Sequence, residues 1–230
     1  AATQTERSES IGIREPLPSL DEAVAAALGA DAAVVFVGSS STTEGEGYDR
    51  TSLDLPGDQD KLVEAVIAAN PKAVVVVNAG AAMTMPWSEQ APAIVDMWLP
   101  GEGGAAALAN VLTGKVNPSG KLPVTFPART EDDTINLKGA KTPYSEGLFV
   151  GYRGYVAKGV KPLFPFGHGL SYTRFAYSAL AAPASIDGAK AIPVRVTLRN
   201  DGARAGKEVV QIYVAALAPG EGDAPIALRG

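Results

Sequence analysis

Between Leu20 and Phe126, short apolar runs alternate with stretches of helical spacing, and this restricts the possible folds more than any other feature of the chain. Leu20, Val24, Ala27 and Leu28 recur at helical intervals, and the pattern stops at Gly29. Ala32–Val37 follows as a continuous apolar run of the kind carried by a strand buried on both faces. Asp58–Ala69 is again helical, with Leu62, Val63, Val66 and Ile67 on one face and Pro71 just past its end. Ala73–Val77 and Ala93–Leu99 repeat the strand signature, Gly104–Leu112 reads as a helix ended by Gly114, and Lys121–Phe126 reads as a further strand. Strands separated by helices of about a dozen residues need crossover connections, and therefore a mainly parallel sheet. The expected fold is α/β: a three-layer α/β sandwich. In such sheets chemistry collects in loops at the carboxyl ends of the strands. Here those loops are 38–56, 78–92 and 100–103, all rich in Gly, Pro, Ser or acidic residues.

After Pro127 the character changes. The stretch to Gly169 has few apolar runs but many aromatics (Tyr144, Phe149, Tyr152, Tyr155, Phe164, Phe166), which suggests a connector that packs against its neighbours. From Ile192 the period becomes two. Pro193–Arg199 alternates, Asn200-Asp201-Gly202 suggests a turn, and Val209–Val214 resumes as a strand. This reads as the start of an antiparallel sandwich, which needs about seven strands and is incomplete by Gly230. The expected division is residues 1–127, 128–180 and 181–230. The 25 Gly and 17 Pro of the 230 residues crowd the loops and the connector and leave the helices mostly alone.

Whole function classes drop out on composition. Without cysteine there is no disulfide framework, thiol nucleophile or zinc–thiolate site, and a single histidine excludes a multi-histidine metal cluster. No metal or cofactor is expected. A formal net charge of −5 with no basic block argues against a nucleic-acid partner. No apolar run approaches the roughly 20 residues of a membrane helix, so no membrane partner is expected. The first ten residues lack the shape of a signal peptide; secreted, periplasmic and cytoplasmic locations all stay open.

The loop after the first strand carries the most chemistry. Glu44, Glu46 and Asp49 lie within six positions, spaced by Gly45 and Gly47 and followed by Arg50. Clustered carboxylates repel, so one of them should hold its proton to higher pH, as a general acid requires. A solvated acidic turn explains the same spacing equally well. A calcium loop lacks the EF-hand spacing, and a phosphate loop lacks its glycine pattern and would be repelled by the carboxylates. His168 has no nearby Ser or Cys partner and reads as structural. Trp87, in Met85-Pro86-Trp87, suits either a sugar platform or loop packing. Tyr144, Glu146 and Arg153 suit either a cleft border or packing and salt links.

The string Glu44-Gly45-Glu46-Gly47-Tyr48-Asp49-Arg50, followed by Leu53–Gln59, resembles the second catalytic region of glycoside hydrolase family 3, the β-glucosidase group. The resemblance continues through Ala69-Asn70-Pro71, Asn78, Met85-Pro86-Trp87, Trp98-Leu99-Pro100-Gly101 and Gly114–Pro123. It then runs through Tyr144–Arg153 and Pro165–Thr173, and Val194–Val214 is similar to the family's appended fibronectin type III-like module. The resemblance implies a (β/α)8 barrel, an α/β sandwich and then that module, with the active site between barrel and sandwich. It implies a retaining β-glycosidase, with an aspartate nucleophile from the barrel and a glutamate acid/base from the sandwich. Carried onto this sequence, the acid/base is Glu46, the glutamate just before Gly47-Tyr48-Asp49-Arg50, with Glu44 as runner-up. Trp87 and Tyr144 are the candidate sugar contacts.

No barrel precedes Ala1, so this reading expects a segment of a longer precursor or one chain of a nicked enzyme, holding half an active site. Its expected partners are the barrel and a carbohydrate: a β-glucoside, an oligosaccharide, or an aryl or natural-product glycoside. Self-association as a homo-oligomer stays open. The main alternative is a non-catalytic carbohydrate-binding or scaffold segment of the same architecture. A nucleotide-binding α/β domain is a third reading that no loop favours.

Overall fold

A computed structural model describes residues 19–47, 50–133, 144–185, 188, 191–218, 220 and 222–230. The lead-in before Ser19 and two members of the acidic motif, Tyr48 and Asp49, lie outside the described residues.

Helix α1 (Leu20–Leu28) begins with a capping box. Ser19 Oγ accepts the Glu22 N–H at 3.3 Å, and Glu22 Oε2 accepts the Ser19 N–H at 2.7 Å. Strand β1 (Ala33–Gly38), helix α2 (Gln59–Ala69), strand β2 (Ala73–Asn78), strand β3 (Ala93–Asp96) and helix α3 (Gly104–Leu112) follow. The strands form a parallel sheet in the order β1-β2-β3, with Gly38 opposite Asn78 and Val77 opposite Asp96. Val35, Val37, Val75 and Val77 on one face share a core with Ala27 of α1 and with Val63 and Val66 of α2. A parallel sheet with helices packed against it makes this an α/β sandwich.

Asn70 locks the two helices at one end. Its Nδ2 donates to the Ala27 and Ala30 carbonyls at 2.8 and 2.9 Å, and its Oδ1 accepts the Lys72 N–H at 2.9 Å. A buried amide satisfied on both sides orders the chain without a desolvation penalty.

Two strand expectations need correction. β2 is buried on both faces, with Val75, Val76 and Val77 at most 1% exposed, but β1 is an edge strand whose Phe36 is 59% exposed. An unbroken apolar run does not tell an edge strand from a central one. Lys121–Phe126 is not a strand either. It lies antiparallel to Leu163–His168 and is pinned at its two ends. Leu122 N–H donates to the His168 carbonyl at 2.8 Å, and Phe126 N–H to the Phe164 carbonyl at 2.9 Å. Pro123, between the pins, has no N–H to offer a ladder.

The connector is more ordered than its composition suggests. It contains helix α4 (Tyr152–Lys158), set between Gly151 and Gly159, both at positive φ. Its aromatics pack on one another and on the next region: Tyr152 lies 5.3 Å from Phe166 and 5.7 Å from Tyr213, and His168 stacks on Phe164 at 5.1 Å.

Beyond it are two antiparallel pairs, β4 (Phe175–Ala181) with β5 (Arg195–Asn200), and β6 (Tyr213–Ala215) with β7 (Ile226–Leu228). β4 straddles the expected boundary at residue 181. The alternating segment therefore does not fold back on Val209–Val214. Asn200 does turn the chain, its Oδ1 accepting the Gly202 N–H at 3.0 Å, but the turn is tied back to the start of β4: the same Oδ1 accepts the Thr173 hydroxyl at 2.7 Å, and Asp201 N–H donates to the Arg174 carbonyl at 2.8 Å.

The segments flanking β4 and β5 are attached to the sandwich by polar contacts. Asn117 Oδ1 accepts from the Ser171 hydroxyl and the Tyr172 N–H at 2.9 and 2.8 Å, while its Nδ2 donates to the Ala205 carbonyl at 2.9 Å. Lys121 Nζ meets Glu208 at 2.9 Å, the two side chains being 16% and 12% exposed.

Candidate active site

β1 and β2 end in register, and Ser39 N–H donates to the Asn78 carbonyl at 3.0 Å, so the loops that follow leave the sheet side by side. The first of them, 39–58, is fastened at several of its described residues. At its base the buried Gln59 takes up both backbone groups of Gly38: Oε1 accepts its N–H at 2.7 Å, and Nε2 donates to its carbonyl at 2.9 Å. The same Nε2 reaches the Pro56 carbonyl at 2.9 Å and closes the loop.

Near the start, Ser40 and Thr43 form a tight turn, and Glu44 N–H donates to the Ser40 carbonyl at 2.9 Å. The half-buried Glu44 carboxylate accepts the Ser39 hydroxyl, and also the Gly80 N–H at 3.0 Å from the neighbouring loop. Further along, Arg50 Nη2 lies 2.7 Å from Met83 Sδ, and Thr84 N–H donates to the Leu53 carbonyl at 2.9 Å. Asp54 accepts the Thr84 and Ser52 hydroxyls. The Thr84 hydroxyl, then Ser52 and the Arg50 charge, hold its carboxyl below the usual aspartate range despite some desolvation.

Glu46 stands exposed between the Glu44 and Arg50 anchorages. Trp87 is a core residue. It is 1% exposed, and its indole N–H donates to Asp60 at 2.7 Å, so it offers no ring face to a sugar. Burial pushes the Asp60 carboxyl up, with the Trp87 bond opposing. Tyr144 is 75% exposed and at positive φ. His168, stacked on Phe164, is lowered by burial and by the Lys121 charge, as suits a structural imidazole. Among the described residues no group of three or more His, Asp or Glu side chains is placed to hold a metal.

Sequence reasoning passed over Gln59 and Asp96. Gln59 is a polar residue on the buried face of a helix, which was a usable signal. Asp96 closes β3. Its Oδ1 accepts the Trp98 N–H at 3.1 Å, Trp98 sits at φ 52, and Oδ2 is buried without a partner. Burial raises the Asp96 carboxyl, and the Trp98 bond only partly offsets it. The string Trp98-Leu99-Pro100-Gly101 marks this corner in the sequence, but nothing local singles out Asp96.

A sequence profile of the glycosyl hydrolase family 3 C-terminal domain matches residues 4–172. The chain belongs to glycoside hydrolase family 3. Over 213 residues it is 45% identical to thermostable beta-glucosidase B of Acetivibrio thermocellus, covering 90% of this chain and 28% of that protein. It is 44% identical over 215 residues to beta-glucosidase B of Emericella nidulans, covering 86% and 25%. Among solved structures it is similar to DesR, a beta-glucosidase from Streptomyces venezuelae in complex with D-glucose. There the TM-score is 0.82 at 44% identity, over 91% of this chain and 27% of that one. A beta-glucosidase of Bifidobacterium adolescentis gives a TM-score of 0.85 at 34% identity, over 100% and 36%. The chain thus spans about a quarter of the length of these curated family 3 relatives, and the profile places the match in their C-terminal domain.

Proposed function

We propose that this chain supplies the general acid/base, Glu46, of a retaining β-glucosidase. The nucleophilic aspartate comes from a (β/α)8 barrel outside these 230 residues. One observation carries the reading. The loop is fastened at Glu44, Asp54 and Gln59, and Glu46 is left exposed between the fastenings at the carboxyl end of the sheet. A carboxyl that is exposed on a fixed loop is available to a glycosidic oxygen, whereas Glu44 is already engaged by the protein. The substrate class, β-glucosides, is supported by the description of the relatives as β-glucosidases and by D-glucose bound to one of them.

In the assembled site the barrel carboxylate attacks the anomeric carbon while Glu46 gives its proton to the departing oxygen. That step leaves a glycosyl ester and a Glu46 carboxylate. The carboxylate then takes a proton from water, whose oxygen attacks the anomeric carbon, frees the sugar and restores both groups. Retention calls for carboxyl groups about 5–5.5 Å apart.

The test is Glu46→Ala in the barrel-containing enzyme. A general acid contributes about 10²–10⁴-fold. Cleavage of alkyl glucosides should fall by that factor, an activated aryl glucoside should still be cleaved, and azide should restore turnover as a glycosyl azide. Equal losses on both substrates without azide rescue would show that Glu46 is not the proton donor. Sugar binding without any turnover in the unaltered enzyme would favour a scaffold instead.

A further inference from the structure

Glu44 reaches from the loop after β1 to the loop after β2. The two loops set out together at the Ser39–Asn78 bond, and Glu44 joins them again further out by accepting from Ser39 Oγ and Gly80 N. Gly80 completes this arrangement. Its φ is not in the left-handed region, so its backbone conformation does not call for glycine. The missing side chain serves the carboxylate instead: a Cβ at Gly80 would run into Glu44 Oε1 and come within 3.2 Å of Leu99 Cδ1. Glu46 follows two residues after this cross-link and is exposed. With Gly45 alone between them, the height and direction of Glu46 depend on where Glu44 is held.

We propose that Glu44 and Gly80 form a clamp that positions Glu46, so that Glu44 is a positioning residue and not a proton donor. The proposal rests on the reading of Glu46 as acid/base and adds the part of the loop that aims it. A reacting group displaced by about 1 Å can lose about 100-fold in rate. The clamp should therefore act on kcat, with little effect on binding of the sugar.

The experiment compares Glu44→Ala, Glu44→Gln, Gly80→Ala and the double variant Glu44→Ala/Gly80→Ala with Glu46→Ala, all in the barrel-containing enzyme. Each is assayed on an alkyl and a dinitrophenyl β-glucoside, across pH and with added azide. Glu44→Ala should lower kcat on the alkyl glucoside by about 10–100-fold, keep both limbs of the pH profile and show no azide rescue. Glu44→Gln keeps an acceptor oxygen for the Gly80 N–H and should recover most of the loss. Gly80→Ala leaves the Glu44 charge intact but displaces it, and should resemble Glu44→Ala. The double variant should be no worse than either single one, because both break the same contact.

Losses that multiply in the double variant overturn the clamp. So does a Glu44→Ala enzyme within twofold of the unaltered one while Glu46→Ala shows azide rescue; the reading of Glu46 then still stands. Azide rescue of Glu44→Ala but not of Glu46→Ala makes Glu44 the proton donor and overturns both. If Glu44→Ala does not fold, Glu44→Gln and Gly80→Ala decide the matter by the same criteria.

Discussion

In the sandwich, Val63, Val75, Val76 and Val77 are buried to 1% exposure or less, and Trp87 and Phe126 fill the space beyond them. In the β4–β5 pair, no residue of either strand is fully buried. The first region is held by apolar area removed from water, which has no directional requirement and does not depend on charge. The second is held to the first by Asn117, by the Lys121–Glu208 pair and by Arg204, whose guanidinium donates to the Gly114 carbonyl at 3.1 Å. Such contacts are directional, and each can be removed one at a time. Neighbouring parts of one chain should therefore fail under different insults: the sandwich to lost volume, the β pairs to lost polar partners or to acid.

The largest effect is expected from Trp87→Ala, which opens a cavity in the core and strands Asp60. It should cost about 3–5 kcal/mol in chemical denaturation, and Trp87→Phe distinctly less. If the alanine variant loosened only β4–β5, the two regions would not fail separately. Asn117→Ala comes next. It removes three hydrogen bonds from the junction and should cost about 1–2 kcal/mol. The loss should appear as faster amide exchange in β4 and β5, while β1 and β2 stay protected.

The smallest effect concerns pH. Burial pushes the Glu208 carboxyl up, but the Lys121 ammonium and the Val209 N–H pull it further down, leaving it below its ordinary value of 4.5. A carboxyl depressed in the folded state adds stability that is fully present above that value and is lost as pH falls below it. Acid should therefore loosen β4–β5 before the sandwich, and Glu208→Gln should flatten that early transition. Equal acid sensitivity in both variants would assign it to other carboxylates.

The same contrast governs how much could be read from the sequence. Hydrophobic periodicity located Leu20–Leu28 and Gly104–Leu112 to the residue, because burying an apolar face imposes a repeat on the chain. The polar seams impose no repeat. Asn200-Asp201-Gly202 does turn, yet Asn200 and Asp201 also bond to Thr173 and Arg174 beside β4, and only the tertiary fold brings those partners near. α4 was hidden for a similar reason: its seven residues carry a glycine at the third position and are too few to show an apolar repeat. In the candidate site the acidic loop was legible as a string. Which carboxylate is engaged and which is exposed depends on Gly80, 36 residues away, and no local pattern carries that information.

Gln59 has a consequence of a different kind. By taking both backbone groups of Gly38 as well as the Pro56 carbonyl, one side chain stands in for a neighbouring strand and ties off the base of the loop. The sheet is then finished at Gly38 whatever lies between the two tied ends. Lengthening a flexible loop costs only about 0.6 kcal/mol per doubling. Changes of length in the exposed stretch 45–47 are therefore cheap for the fold, and the loop can be remodelled there while the sheet that carries it stays unchanged.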